Sequence, residues 1–401
     1  MPKAPAVTPL LELTLPGKGR GRVDPVLGGL VHIQTARGLA PLTRLMIDHA
    51  VNIPVHKGLL AVATNDALAV LALRTLHPDA PAHYFHLDLF HVRQASALAG
   101  SSGAALETAC CPDLPHYEPA PDLALIQCTK DGETGLTLEW LRQTHARLAV
   151  GGKLLATINN PHDRWTREQL ERTFGNVTLL AREKHGLLYL AAKKHAVPEP
   201  AASAEAPAPR EHFRRHIRVE MIGETYEFET CYGVFSSANI DDGSLALLEV
   251  MAPAPTGGAV LDMGCGWGAL GCIAARRAQA RHLTMIDANA RAVELAALNA
   301  ERLGVQGAVV RHEAGLESLG EGPELGHYDV VLSNPPYSTE FRVTELFLRA
   351  ALLALRPGGH VWMVGKHNPV LSNRMEELFG NVEVLHRRGY EIYHAVRKLG
   401  L

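Results

Sequence analysis

Two parts of this 401-residue chain carry the same punctuation in the same order. Asp122-Leu123-Ala124-Leu125 precedes Gly151-Gly152 by the interval at which Asp329-Val330-Val331-Leu332 precedes Gly358-Gly359. Each Gly-Gly pair leads into an apolar run, then a polar segment with Asn-Pro (Asn160-Pro161; Asn368-Pro369), then Phe-Gly-Asn-Val (residues 174–177 and 379–382). An ordered set that recurs in this way marks a duplicated domain. The length suits two domains, each able to bury a core of its own. In the first copy the apolar stretches 59–73, 83–90, 123–128 and 153–158 alternate with helix- or loop-like sequence, the pattern of βα units. The second copy continues it with a helix over 341–355, a Pro357-Gly358-Gly359 turn, a strand over 360–364 and a terminal pair near 382–385 and 391–396. The expected fold class is α/β, with two tandem, mainly parallel sheets closed by an antiparallel terminal strand.

Between the copies, an Ala- and Pro-rich stretch reads as an extended linker. The domains are therefore expected at 1–196 and 213–401, with the linker at 197–212. The first twenty-odd residues, rich in Pro and Gly, read as an extended arm ahead of the first packed element. The formal charge of −3 rules out a polycationic glove, so any anionic partner must be met by a local patch. One candidate patch is Arg210, His212, Arg214, Arg215, His216 and Arg218, either a phosphate contact or a solvated interdomain segment. The six cysteines form neither C-x-x-C pairs nor a secreted framework and read as reduced thiols. No stretch reaches transmembrane length and the start makes a poor signal peptide, so the expected location is cytoplasmic. The 21 histidines are scattered along the chain, so buried or surface histidine is expected and no metal. The oligomeric state stays open, with a monomer favoured.

The chemistry concentrates in the second copy. Ala259-Val260-Leu261-Asp262-Met263 runs into Gly264-Cys265-Gly266-Trp267-Gly268, a strand followed by glycines and then a helix starting near Trp267. Glycines there let the backbone turn sharply and let a ligand lie against it. A second strand, 283–286, ends at Asp287, which can accept both hydroxyls of a ribose. Such a loop suits a dinucleotide or S-adenosylmethionine. The strand 328–333 then delivers Asn334-Pro335-Pro336-Tyr337 at a sheet's carboxyl edge, where open α/β sheets bind ligands. The prolines fix the backbone, so Asn334 and the Pro335 carbonyl form a rigid acceptor pair for a planar amino group, with Tyr337 to stack on it. A hydride-transfer site needs no such clamp, which favours the methyl donor. Asp241-Asp242-Gly243-Ser244 precedes an apolar helix and reads as a helix start.

These motifs, with Gly233-Val234-Phe235-Ser236, resemble the class I S-adenosylmethionine-dependent methyltransferases, and among them the bacterial ribosomal RNA guanine-N2 methyltransferases. The resemblance covers the whole chain, because that family joins an inactive methyltransferase-like copy to an active one. It implies two Rossmann-like domains, the first non-catalytic. It implies that Phe235, Ser236, Asp262, Gly264, Cys265, Gly266, Gly268, Asp287, Ala288, Glu313 and Asn334 hold S-adenosylmethionine, and that Asn334, Pro335, Pro336 and Tyr337 hold the target base. The implied partner is ribosomal RNA or the small ribosomal subunit, and the implied acceptor is the N2 of a guanine in 16S RNA. Guanine N2 of 23S RNA, adenine N6 and a protein glutamine amide would use the same clamp. A non-catalytic RNA-binding assembly factor and a nicotinamide oxidoreductase are the rivals from other classes. In the first copy, Gln127-Cys128-Thr129-Lys130 stands opposite the clamp and Val62-Ala63-Thr64-Asn65-Asp66 opposite the glycine loop, so that copy is expected to be catalytically dead.

Overall fold

The structure is a computed structural model and describes residues 10–14, 22–36, 38–196, 213–252, 254–320, 322–335, 341–367 and 369–399. The chain separates into two compact units, Met1–His212 and Phe213–Leu401. The expected linker lies outside the described residues.

In the first unit, β1 (Leu11–Thr14), β2 (Arg22–Val26) and β3 (Val31–Thr35) form a small sheet in the order β1-β3-β2. Part of the expected amino-terminal arm is thus a strand: β1 pairs in parallel with β3 and buries Leu13 completely. Helix α1 (Pro41–Ala50) begins at a proline, whose fixed φ suits a first helical turn. There follow β4 (Leu59–Val62), α2 (Leu68–Leu76), β5 (Ala82–Phe85), α3 (Leu89–Ser102), β6 (Glu107–Ala109), β7 (Leu123–Cys128), α4 (Thr134–Arg147), β8 (Lys153–Ile158), α5 (Trp165–Phe174), β9 (Thr178–Glu183) and β10 (Gly186–Ala192). The apolar run 59–73 is therefore a strand and a helix. The two part at Ala63, held at a φ of 49°, and at polar Thr64-Asn65-Asp66. Likewise 83–90 divides where the Asp88 carboxylate accepts the Phe90 N–H and starts α3.

The second unit opens with a hairpin of β11 (Arg214–Met221) and β12 (Glu224–Cys231). It continues with α6 (Asp242–Val250), β13 (Ala259–Met263), α7 (Ala269–Ala278), β14 (His282–Asp287), α8 (Ala290–Arg302), β15 (Ala308–His312), β16 (Tyr328–Ser333), α9 (Phe341–Ala354), β17 (Leu355–Gly365), α10 (Pro369–Phe379), β18 (Glu383–Arg387) and β19 (Tyr390–Val396). The expected turn at Pro357-Gly358-Gly359 lies inside β17. The register jumps there, from Tyr328 opposite Leu355 to Val330 opposite His360.

The two large sheets have one topology. Their orders are β6-β5-β4-β7-β8-β10-β9 and β15-β14-β13-β16-β17-β19-β18, parallel except where β10 and β19 run antiparallel to their neighbours. The recurring residues do the same work in each. The Asp122 carboxylate accepts the N–H groups of His56, Lys57 and Gly58 ahead of β4, and the Asp329 carboxylate accepts the Ala259 N–H at the start of β13. Asn176 exchanges two hydrogen bonds with the backbone of Ala192, as Asn381 does with Val396, each within 2.8–3.0 Å. Gly151 and Gly358 donate to the Lys193 and Arg397 carbonyls, both at 2.8 Å. Those shared bonds are why Phe-Gly-Asn-Val and Gly-Gly recur.

Strands β13 and β16 are almost wholly buried, with helices packed on both faces of the sheet. The continuous apolar strands of a doubly covered parallel sheet require this. The hairpin lays Ile217, Val219, Met221, Tyr226 and Phe228 into the same core. It is fastened by Asn299 of α8, which accepts the Glu229 N–H and donates to the Glu229 and Trp267 carbonyls.

Candidate functional site

The strand order of the second sheet reverses between β13 and β16, and ligands of open α/β sheets bind beyond the carboxyl ends of the strands at that point. Met263 and Ser333, the last residues of these strands, sit in register. The Ser333 hydroxyl donates to the Met263 carbonyl at 2.8 Å, tying the two ends together. The glycine loop leaves one strand here and Asn334 leaves the other.

Gly264, Gly266 and Gly268 all hold positive φ (69°, 53° and 85°), a conformation that side chains resist. The Gly264 and Cys265 N–H groups donate to the Ile286 carbonyl, carrying the loop across the end of β14. A Cβ at Gly268 would lie 3.1 Å from the Ala296 Cα, so this glycine permits α7 to approach α8. A Cβ at Gly266 would meet nothing within 4 Å, so the loop presents bare backbone to open space.

The Asp287 carboxylate accepts the Gly266 N–H and the Asn289 N–H, both at 2.8 Å, and so is held beside the loop. Asn289 caps α8 through Arg291 and Ala292 and donates from its amide to the Gly233 carbonyl at 2.7 Å. Trp267 donates its indole N–H to the Phe235 carbonyl at 3.2 Å. Fully buried Arg291 donates to the Tyr232 carbonyl. The segment 232–236 is thereby bound to the loop and to α8, with the Phe235 ring 63% exposed and Ser236 at a φ of 55°. The structure brings Phe235, Ser236, Gly264, Cys265, Gly266, Gly268, Asp287 and Ala288 to one edge of the sheet.

Asp262 takes a different part. Its side chain is 1% exposed and accepts the Gly271 N–H at 2.8 Å, so it fixes the start of α7 from beneath the loop. Burial pushes its carboxyl up to about 7. The bond from Gly271 opposes the shift and the nearby Asp287 charge adds to it. Burial also drives the Cys265 thiol well above its usual range, which makes it a packing group and no nucleophile. Glu313 follows β15, where its N–H donates to the Asp287 carbonyl and its carboxylate accepts the Ser318 N–H. The Ala288 carbonyl is bound by the His312 ring.

Beyond β16, Pro335 is buried and Asn334 half-buried; Pro336 and Tyr337 lie outside the described residues. The Asn334 amide nitrogen donates to the Asp241 carboxylate at 2.7 Å and to the Ser244 hydroxyl at 3.0 Å. The same Asp241 oxygen accepts the Ser244 N–H at the start of α6. Asp241 and Ser244 form the expected helix start. Only the fold brings that start against Asn334.

Of the basic cluster, the described residues Arg214, Arg215 and Arg218 each meet a partner in the second unit. Arg214 is ion-paired with Glu294 and lies 4.0 Å from Glu229, Arg218 pairs with Glu220, and Arg215 stacks over the Tyr232 ring at 4.4 Å. These residues belong to β11 and not to an interdomain segment; Arg210 and His212 lie outside the described residues. Among the described residues, no group of three His, Cys, Asp or Glu side chains could hold a metal ion, and no helix is long and apolar enough to cross a membrane.

A seven-stranded sheet of this order, with a glycine loop after its first strand, an acid after its second and Asn-Pro after its fourth, defines a class I methyltransferase domain. Residues 225–394 match the family described as "Methyltransferase small domain". The chain belongs to that family, sharing 31% identity with the uncharacterized protein YbxB of Bacillus subtilis over 85% of YbxB and 42% of this chain. It is similar to "Ribosomal RNA small subunit methyltransferase C" of Cronobacter sakazakii, at 35% identity over 42% of this chain. That match spans about half of the relative's length, 48%. The protein of the same name from Pseudomonas entomophila is 29% identical over 70% of this chain and 80% of its own. Among solved structures, the Thermus thermophilus "16S rRNA N2 G1207 methyltransferase (RsmC) in complex with AdoMet and Guanosine" shares the fold with a TM-score of 0.72. It covers 94% of this chain and 98% of its own at 22% identity.

Proposed function

We propose that residues 213–401 methylate the exocyclic N2 of a guanine in 16S ribosomal RNA from S-adenosylmethionine, acting in the cytoplasm on the RNA or the small subunit. The observation that carries this is the pinned Asn334 amide at the carboxyl edge of β16, next to the glycine loop. The names of the Cronobacter and Pseudomonas relatives support the ribosomal substrate.

The loop fits the cofactor. A Cβ at Gly266 would project into open space from a backbone that side chains resist, and Asp287 stands at the end of the next strand. Residues 264–268 would lie against the ligand, Asp287 would accept its ribose hydroxyls, Glu313 would meet the adenine amine, and Phe235 would cover it. When bound, S-adenosylmethionine supplies an electrophilic methyl group whose departing sulfur keeps the bonding pair. Asn334 and the Pro335 carbonyl accept the hydrogens of the target amine, whose lone pair is otherwise delocalised into the base. Gripping those hydrogens favours pyramidal nitrogen and stabilises the positive charge that develops there, an effect worth roughly 10²–10³ in rate per group. The proton then leaves to solvent. Pro336 and Tyr337 complete the clamp, which requires an unstacked base.

The first domain, residues 1–196, is proposed to be non-catalytic. In its matching positions Ala63 replaces Gly264 and keeps the left-handed φ, and His86 replaces Asp287. Gln127 replaces Asn334, and its side-chain oxygen accepts the Asn65 N–H of its own loop at 3.3 Å. Burial drives the His86 ring down to about 3, so the position that should carry an acid is a neutral imidazole.

The test is transfer of labelled methyl from S-adenosylmethionine to 30S subunits, 50S subunits and free 16S RNA, comparing wild type with Asn334→Ala. Label in 16S RNA that digests to N2-methylguanosine and is lost in the variant is expected. Cofactor binding with no labelled RNA would overturn the proposal.

A further inference from the structure

We infer that Asp241 is a positioning residue which fixes the sense of the Asn334 amide, so that the clamp offers an acceptor to its substrate and admits an amine while rejecting a carbonyl. The inference rests on the reading of Asn334 as part of the clamp. A side-chain amide is nearly symmetric in shape, and rotation by half a turn exchanges oxygen for NH2. Which end faces the substrate decides whether that substrate must donate or accept.

In this site the choice is made by α6. The Asn334 nitrogen lies 2.7 Å from an Asp241 carboxylate oxygen and 3.0 Å from the Ser244 hydroxyl, engaging both amide hydrogens. Ser244 alone could not set the sense, because a hydroxyl both donates and accepts. An ionised carboxylate only accepts, so turning the amide would bring oxygen against oxygen in a half-buried place. The carboxylate is itself anchored by the Ser244 N–H at 3.0 Å, in the first turn of a helix whose N-terminus favours negative charge. A negative partner on the NH2 end also polarises the amide and strengthens its oxygen as an acceptor.

Guanosine and xanthosine separate this role from simple support, because xanthosine carries a carbonyl where guanosine carries the N2 amine. Equilibrium binding of both nucleosides to the full chain is measured for wild type, Asp241→Ala, Asp241→Asn, Ser244→Ala and Asn334→Ala. Binding is measured at a pH where xanthosine is neutral, because its anion would respond to the loss of the Asp241 charge whatever the sense of the amide. The preference for guanosine is expected to fall at least about tenfold in Asp241→Ala. In Asp241→Asn, whose amide oxygen still accepts from Asn334, it is expected to stay within about threefold of wild type. Should the alanine variant fold poorly, Asp241→Ser, which keeps a good helix cap, takes its place. Equal weakening of both nucleosides in Asp241→Ala would show a merely structural role and overturn the inference. If Asn334→Ala binds guanosine and transfers methyl like wild type, the clamp reading itself falls. If Asn334→Ala is inactive while Asp241→Ala keeps its preference, only the present inference falls.

Discussion

Asp262→Asn should change how the stability of the second unit depends on pH. Burial places this carboxyl at about 7 in the folded chain against an ordinary 3.8. Between these values the unfolded chain has released its proton and the folded chain has not, so the unfolded state binds fewer protons and stability falls as pH rises. The contribution is fully present below pH 4 and lost by the time pH has passed 7. A shift of this size corresponds to a loss on the order of 4 kcal/mol, at 1.36 kcal/mol per unit. Asparagine keeps an oxygen for the Gly271 N–H and has no charge to bury, so its curve should lack this slope. Hydrogen exchange of peptides covering 259–287, corrected for intrinsic rates, reads the opening free energy of this region. The difference between variant and wild type cancels the other titrating groups. It should disfavour the variant by about 0–2 kcal/mol at pH 4, the cost of an unpartnered amide N–H, and favour it by about 2–4 kcal/mol at pH 8. Parallel curves across that range would refute the assignment of a desolvated, protonated Asp262.

Three further outcomes are expected. Asp287→Ala removes the acceptor for the Gly266 and Asn289 N–H groups and should weaken S-adenosylmethionine binding about 10- to 100-fold by calorimetry; an unchanged affinity would refute its place in the cofactor site. Gly268→Ala imposes a φ of 85° on a side chain and drives its Cβ to 3.1 Å from Ala296, so thermal unfolding should show the second unit destabilised by about 1–3 kcal/mol. A neutral result would mean that α7 and α8 yield freely. Because Arg214 is already ion-paired, Arg214→Ala should leave the salt dependence of RNA binding unchanged. A slope reduced by about 0.7 would show that it contacts a phosphate.

Much of the architecture was legible because it is written in local chemistry. Continuous apolar runs gave the buried parallel strands, and the recurrence of Asp, Gly-Gly and Phe-Gly-Asn-Val gave the duplication. Those residues serve backbone bonds that each copy must make again. The runs 59–73 and 83–90 were read as single stretches because nothing in their hydrophobicity marks the left-handed turn at Ala63 or the Asp88 cap. The amino-terminal strand was missed for a related reason: only its pairing with β3 makes Leu11–Thr14 a strand.

By itself the sequence determined which backbone must be bare, at Gly264, Gly266 and Gly268. It also determined which strand ends carry Asp287 and Asn334, because these depend on neighbours a few residues away. Tertiary structure decided the roles that depend on distant partners. It buried Asp262 under Gly271, paired Arg214 with Glu294, and set Asp241 and Ser244 against an amide 93 and 90 residues further along the chain. A side chain's type limits what it can donate or accept, but what it meets is settled only when the sheet closes and brings the strand ends together.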